Sequence, residues 1–396
     1  MHAHFVRPHQ VCLVLGLLIF GGATASARTF HVATWGDDDR QDWQAENVST
    51  PWRTIQRAVD VAYGGDTVIV ADGRYRENVT FRRSGYSGGE INLRAEAKFG
   101  AAIDGYIFGE FVDHVRVDGF DVTNASRIPP TKGIMFVSGH HLTVRDCRVH
   151  DCFGGGISFN KCDWVLCEWN ITYGNAFYTD NSESGISVFQ PEYRGNDSRQ
   201  YGHIIRNNTS YGNYNFVAHP TFGFITDGHG IILDDFRHRQ DGGQPYDRPT
   251  LVENNIVSSN GGSGIHVYSS LNIRVRNNTV VSNLGNLPYG GEITVDDCDR
   301  IYVYNNIAWA RPGRASLLGY QSNQVISFNN IVLTPPQGMG NVGGLLTDPQ
   351  FIPGTFELGP GSPALNSAYN NGDHFELDAF GRARINIRLD IGALER

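Results

Sequence analysis

The apolar residues of this chain fall in short strands, each broken by asparagine or glycine before it reaches the length of a helix. Ile204-Ile205, Leu251-Val252, Ile273-Arg274-Val275 and Ile301-Tyr302-Val303 each lead into a pair of asparagines, at Asn207-Asn208, Asn254-Asn255, Asn277-Asn278 and Asn305-Asn306. Asn329-Asn330 continues the series and the single Asn170 precedes it. A second short strand follows each turn, opening with Gly-Ile at Gly133, Gly156, Gly185, Gly230 and Gly264 and with the variant Glu292-Ile293 after them. Asn255 to Asn278 spans 23 residues and Asn306 to Asn330 spans 24, a period that means one coil of chain per repeat. The pattern predicts a solenoid whose stacked coils align their strands in parallel and bury Ile, Val and Leu. Asparagine suits the bends because it tolerates a left-handed backbone and can hydrogen-bond its copy on the next coil.

Both ends of the array need covering, since a terminal coil exposes its core and an unpaired strand edge. Thr50-Pro51-Trp52-Arg53-Thr54-Ile55 and the residues to Ala62 read as a capping helix. Ser49 or Thr50 is its expected N-cap, Pro51 lies in its first turn, and Ile55, Ala58, Val59 and Ala62 form its apolar face. Asp37, Asp38, Asp39, Trp35, Trp43 and Trp52 are expected to serve this cap as turn and packing residues. The repeats together with this segment resemble the right-handed parallel β-helix proteins of the pectate-lyase-like superfamily. The stretch from Asp348-Pro349-Gln350-Phe351 through Gly361-Ser362-Pro363 to Asp390-Ile391-Gly392 resembles the tail of many bacterial secreted β-helices. The expected fold class is therefore all-β, a right-handed parallel β-helix solenoid with an N-terminal capping helix and an irregular C-terminal tail. Residues 28–396 form one domain, with 28–80 as cap and first coils and 340–396 as capping tail.

Residues Val11 to Phe20 form an apolar run too short for a comfortable membrane span, preceded by Arg7 and followed by Ala25-Ser26-Ala27. Residues 1–27 read as a signal peptide, and its removal takes the formal charge from −9 to −10. The mature chain is expected to be a secreted or periplasmic monomer with no membrane anchor. Its acidity and scattered arginines leave no basic stripe for nucleic acid. Cys147, Cys152, Cys162 and Cys167 fall within two consecutive coils, open to either disulfides or a buried thiol ladder, and Cys298 is left over.

Alternation of faces sends the Ile of each Gly-Ile strand, and the residue two later, inward. The outward column then reads Met135 and Val137, Ser158 and Asn160, Ser187 and Phe189, Ile232 and Asp234, His266 and Tyr268, Thr294 and Asp296. Its middle turns polar and aromatic, as a carbohydrate groove would, with His266, Tyr268, Phe189 and Arg194 as candidate sugar contacts. Beside it, Thr226 to Arg237 gathers Asp227, His229, Asp234, Asp235 and Arg237 around one strand, and the insertion 238–249 lengthens that coil to 47 residues between Asn208 and Asn255.

The superfamily resemblance implies a polysaccharide lyase acting on an acidic, uronate-containing polymer. A calcium ion neutralises the uronate carboxylate and a basic residue removes the C5 proton in β-elimination. Asp227, Asp234, Asp235, Asp180 and Glu183 are the candidate calcium ligands. Lys161, Lys132, Arg237, His229 and His266 are candidate bases, Lys161 and Lys132 being two of only three lysines, with Lys98. The alternative is an inverting glycoside hydrolase using Asp234 and Asp296, two coils apart in one column and so about 9 to 10 Å apart at the backbone. Asp234-Asp235 and Gly228-His229-Gly230 resemble polygalacturonase elements, but in the reverse order and with no Arg-Ile-Lys to follow. An epimerase, or a non-catalytic polysaccharide-binding β-helix, remains open on the same scaffold.

Overall fold

The computed structural model describes residues 26–384 and 388–396, so most of the expected signal peptide lies outside the described residues. Three parallel sheets of nine, eleven and eleven strands run the length of the array. Most coils contribute one strand to each sheet. The first sheet holds the Gly-Ile strands, such as Ile157–Asn160, Ile186–Phe189, Ile231–Asp234, Ile265–Tyr268 and Gly291–Asp296. The second holds the strands that end at the asparagine bend, such as Leu271–Arg276, and the third holds short strands such as Thr279–Val281. Inward Ile, Val, Leu and Phe of all three sheets form one continuous core. No helix among the described residues is long and apolar enough to cross a membrane.

The asparagines divide their work. The first of each pair takes the left-handed conformation, as at Asn254 (φ 56°) and Asn305 (φ 57°), and the second is buried in a ladder. Asn170, Asn208, Asn255, Asn278, Asn306 and Asn330 each donate backbone and side-chain N–H to the Oδ1 of the next rung, at 2.9–3.1 Å, ending on Asn341. A second ladder, Asn175, Asn213, Asn260 and Asn283, runs parallel to it on the far side of the third sheet. This ladder explains the Gly-Ile motif. A Cβ at Gly185, Gly230 or Gly264 would meet the Nδ2 of Asn213, Asn260 or Asn283 at 2.6–2.7 Å, so these coils need glycine. Glu292 stands in the corresponding place one coil on, and its carboxylate accepts from Asn283 N and Nδ2 to end the ladder.

The capping helix exists but starts later than expected. It spans Ile55–Val61 with Thr54 as N-cap, Thr54 Oγ1 accepting from Arg57 N at 3.3 Å. Residues before it are drawn into the sheet instead, Trp52 bridging to Val32 and packing on Phe30 at 5.1 Å. Trp35 and Trp43, expected to pack, are 63% and 73% exposed. The tail does more than cover the last coils. It runs back along the asparagine bends, where Asn207, Asn254, Asn305 and Asn329 donate to the carbonyls of Asp378, Leu377, Tyr369 and Ser367. All five described cysteines are reduced and buried in the core, so the thiol reading replaces the disulfide one.

Candidate active site

The outward column forms as the alternation requires. Met135, Ser158, Ser187, Ile232, His266 and Thr294 stand in one row of the first sheet, and Val137, Asn160, Phe189, Asp234, Tyr268 and Asp296 in the next. Loops entering the sheet (174–185, 212–230 and 284–290) wall one side of this face, and loops leaving it (190–202 and 235–249) wall the other. The first wall presents exposed Tyr178, Phe216, Phe222, Phe224 and Tyr289. Aromatic rings beside a polar strip can stack on the apolar faces of sugar rings.

The chemistry concentrates where Asp227 and His229 enter the strand Ile231–Asp234. His266 Nδ1 lies 2.9 Å from His229 Nε2, the rings meet edge to face at 4.5 Å, and Asp227 Oδ1 is 3.9 Å from His229 Nε2. His229 Nδ1 and His266 Nε2 are buried without a hydrogen-bond partner. Burial pushes His229 down to about 4 and His266 to about 3, the latter helped by the neighbouring ring, so both stay neutral through the physiological range. The carboxyls move the opposite way. Desolvation raises Asp227, and Asp234 is held well above its ordinary value by desolvation and then by the charges of Asp227 and Asp235. Asp296, beyond Tyr268 in the column, is raised by burial and by Asp297. Imidazoles with lowered pKa and carboxyls with raised pKa thus share one face.

Several predicted participants are occupied elsewhere. Lys161 bonds Glu192 at 3.0 Å and Asp241 at 3.3 Å, and these partners raise its pKa, whereas a general base needs it lowered. Arg237 is bound to Asp297 through both the carbonyl and the carboxylate, at 2.8 and 3.0 Å. Arg194 staples its own loop, donating to the Lys161 carbonyl and Glu192. Lys132 makes a 2.9 Å ion pair with Glu183.

Several of the expected calcium ligands have other partners. Glu183 is committed to Lys132 and the Gly155 amide, and Asp180 is exposed. Asp235 is fully buried and caps the Arg239 and Gln240 amides at 2.7 and 3.0 Å, with Gln190 Nε2 at 2.9 Å. Asp227 and Asp234 lie close enough to raise the pKa of Asp234, and a calcium ion held there would need further oxygens from water, carbonyls or substrate.

The insertion 238–249 owes its shape to a buried hub in the second sheet. Asp163 accepts from Tyr246 Oη at 2.5 Å, Arg194 N at 2.7 Å and Trp164 N at 2.9 Å. Sequence reasoning missed this hub, and it missed Tyr289, whose hydroxyl donates to Ile225 O at 3.0 Å beside Asp227. It also missed the second ladder, although an asparagine five residues after Asn170, Asn208, Asn255 and Asn278 is visible in the sequence.

The sequence profile of the right handed beta helix region matches residues 196–334. The solved pectate lyase Pel9A superposes with a TM-score of 0.56 at 17% identity, covering 94% of this chain and 97% of its own. The chain is a right-handed parallel β-helix. More distant similarities are to the GH136 lacto-N-biosidase from Eubacterium ramulus, at TM-score 0.48 and 11% identity over 77% of this chain and 56% of that one. The PL6 family alginate lyase AlyGC superposes at TM-score 0.43 and 18% identity, over 72% of this chain and 38% of that one. No curated protein matches the sequence. At these identities the likeness of this β-helix to its neighbours is one of fold, and the chemistry has to be read from the groove itself.

Proposed function

We propose that this β-helix is a secreted polysaccharide-cleaving enzyme that acts on a uronate-containing chain by β-elimination, with His266 as base and Asp234 as acid. The observation that carries this reading is the placement of these two side chains on one face of paired neighbouring strands, where burial lowers the pKa of His266 and raises that of Asp234. They lie diagonally, one coil and two residues apart, so about 8 Å at the backbone from the strand spacing and rise.

In this reading His266 Nδ1–H donates to His229 Nε2, and His266 Nε2, buried and unpartnered in the free chain, is uncovered when the sugar displaces its cover and then takes the C5 proton. The C5–H electrons form the C4=C5 double bond, the C4–O bond breaks, and Asp234 delivers its proton to the departing oxygen. Asp227 beside the paired rings stabilises the imidazolium that forms. Tyr268 and Phe189 supply stacking faces along the column. The fold likeness to pectate lyase Pel9A supports an acidic polymer as substrate.

A second reading is an inverting hydrolase in which Asp234 is the acid and Asp296 the base. It is favoured by their place in one column two coils apart. The test incubates the chain with pectate, alginate and neutral polymers in the presence of a chelator. It follows both the ultraviolet absorbance of an unsaturated uronate and the release of reducing ends. Absorbance that rises with reducing ends, and is lost in His266→Asn, supports elimination. Reducing ends without absorbance sink it in favour of the hydrolase.

A further inference from the structure

Away from the groove, three histidines meet on the second sheet. His114 and His141 occupy equivalent left-handed bends on consecutive coils (φ 53° and 54°), just before the paired residues Val115 and Leu142, and His140 precedes His141. One ring nitrogen from each of the three lies within 4.8 Å of the others. His140 Nδ1 and His141 Nδ1 face each other at 2.7 Å, and the His114 ring stacks on His141 at 4.5 Å and stands edge-on to His140 at 5.3 Å. The outer nitrogens are held by carboxylates, His140 Nε2 by Asp113 at 3.3 Å and His141 Nε2 by Asp197 at 3.1 Å.

That arrangement has the form of a metal site's inner and outer shells. A carboxylate that accepts the Nε2–H of a histidine fixes its tautomer and leaves Nδ1 as an in-plane donor, which is how metal-bound histidines are commonly oriented. Here Asp197 so fixes His141, Asp113 lies 3.3 Å from His140 Nε2, the two Nδ1 atoms share one hydrogen bond that a metal ion would replace, and a third imidazole lies within reach. An all-imidazole donor set suits zinc, nickel or copper and is a poor match for the oxygen-seeking calcium or magnesium. The cluster borders a cavity of about 740 Å³ lined by Glu90, Asn92, Thr143 and Arg199 together with His114, His141 and Asp197, so an ion and its remaining water have a path in.

We propose that His114, His140 and His141 bind one divalent transition-metal ion, with Asp113 and Asp197 as outer-shell partners. The ion joins two consecutive coils and pins the 196–199 loop, which carries Asp197, against the second sheet. The site is separate from the proposed cleavage chemistry, whose residues lie on the first sheet.

Calorimetric titration of the chelator-stripped full chain with zinc alone tests this, with cobalt absorption in the visible as a second reading of the coordination. One saturable site is expected, abolished in His141→Ala and weakened about 10- to 100-fold in Asp197→Asn. His266→Ala should bind zinc as the unmodified chain does. Circular dichroism establishes that the variants are folded, and Asp197→Asn, on a surface loop, keeps the test decisive if His141→Ala is not. Absence of saturable binding overturns the proposal. So does binding that survives in both His141→Ala and Asp197→Asn but is lost in His266→Ala, since the metal would then be held by the groove pair.

Discussion

Glu292 offers a stability prediction whose size follows from its surroundings. Its carboxylate is buried at the end of the second asparagine ladder, where desolvation outweighs the Asn283 donors and the more distant Arg311, and raises its pKa from 4.5 to about 8. A carboxyl with a raised folded pKa contributes its stability in full below the unfolded value and loses it as pH rises through the folded value. Between pH 4.5 and 8 the folded chain must hold a proton that the unfolded chain releases. The loss runs at about 1.4 kcal/mol per pH unit, so roughly 3 kcal/mol by pH 7 and about 5 kcal/mol above pH 8. Glu292→Gln keeps an oxygen to accept from Asn283 and has no charge to bury. Urea unfolding of both proteins across this range reads the difference between them, in which the other titrating groups cancel. The variant is expected to gain about 5 kcal/mol on the parent between pH 4 and pH 9. Parallel curves would refute the reasoning, and so would a gap that widens toward acid.

Asn255→Ala removes the acceptor of the buried Asn208 N and one donor to Ile205 O, and should cost roughly 1–3 kcal/mol in the same unfolding assay. Lys161→Ala should leave the proposed cleavage rate within a few-fold, because its ammonium is engaged by Glu192 and Asp241; a loss of several orders of magnitude would restore it as a base. Asp234→Asn, and separately His266→Asn, should each lower kcat by about 10²- to 10⁴-fold with a smaller change in KM, measured under saturating polymer. Burial lowers His203 to about 3, so its contribution is complete above about pH 6.5 and is lost as pH falls toward 3; His203→Phe should flatten that acid limb in thermal melts.

The repeat was legible because one physical constraint recurs in every coil. A strand of fixed length, an inward Ile or Val and a bend that only a few residue types tolerate must reappear with each turn, and the register of the first sheet then follows from alternation alone. The groove column from Met135 to Asp296 could be written down before any coordinate for that reason. The second ladder was equally available, at five residues past the first, but a glycine read as a strand opener hid the asparagine that requires it.

Which polar residues are free was not legible, because pairing depends on neighbours far apart in the chain. Lys161 meets Asp241 across 80 residues, Arg237 meets Asp297 across 60, and Asp163 receives Tyr246 across 83. The periodic pattern sets where a side chain stands on the solenoid, since that depends only on residues within one coil. Its protonation and its partners are set by the irregular loops that fold over it. So the sequence by itself determined the coil, the core and the row in which Asp234, His266 and Tyr268 stand. Only the tertiary structure decided that His229 and His266 are desolvated and joined, that Glu183 and Asp235 are taken up by other partners, and that three histidines meet on another sheet.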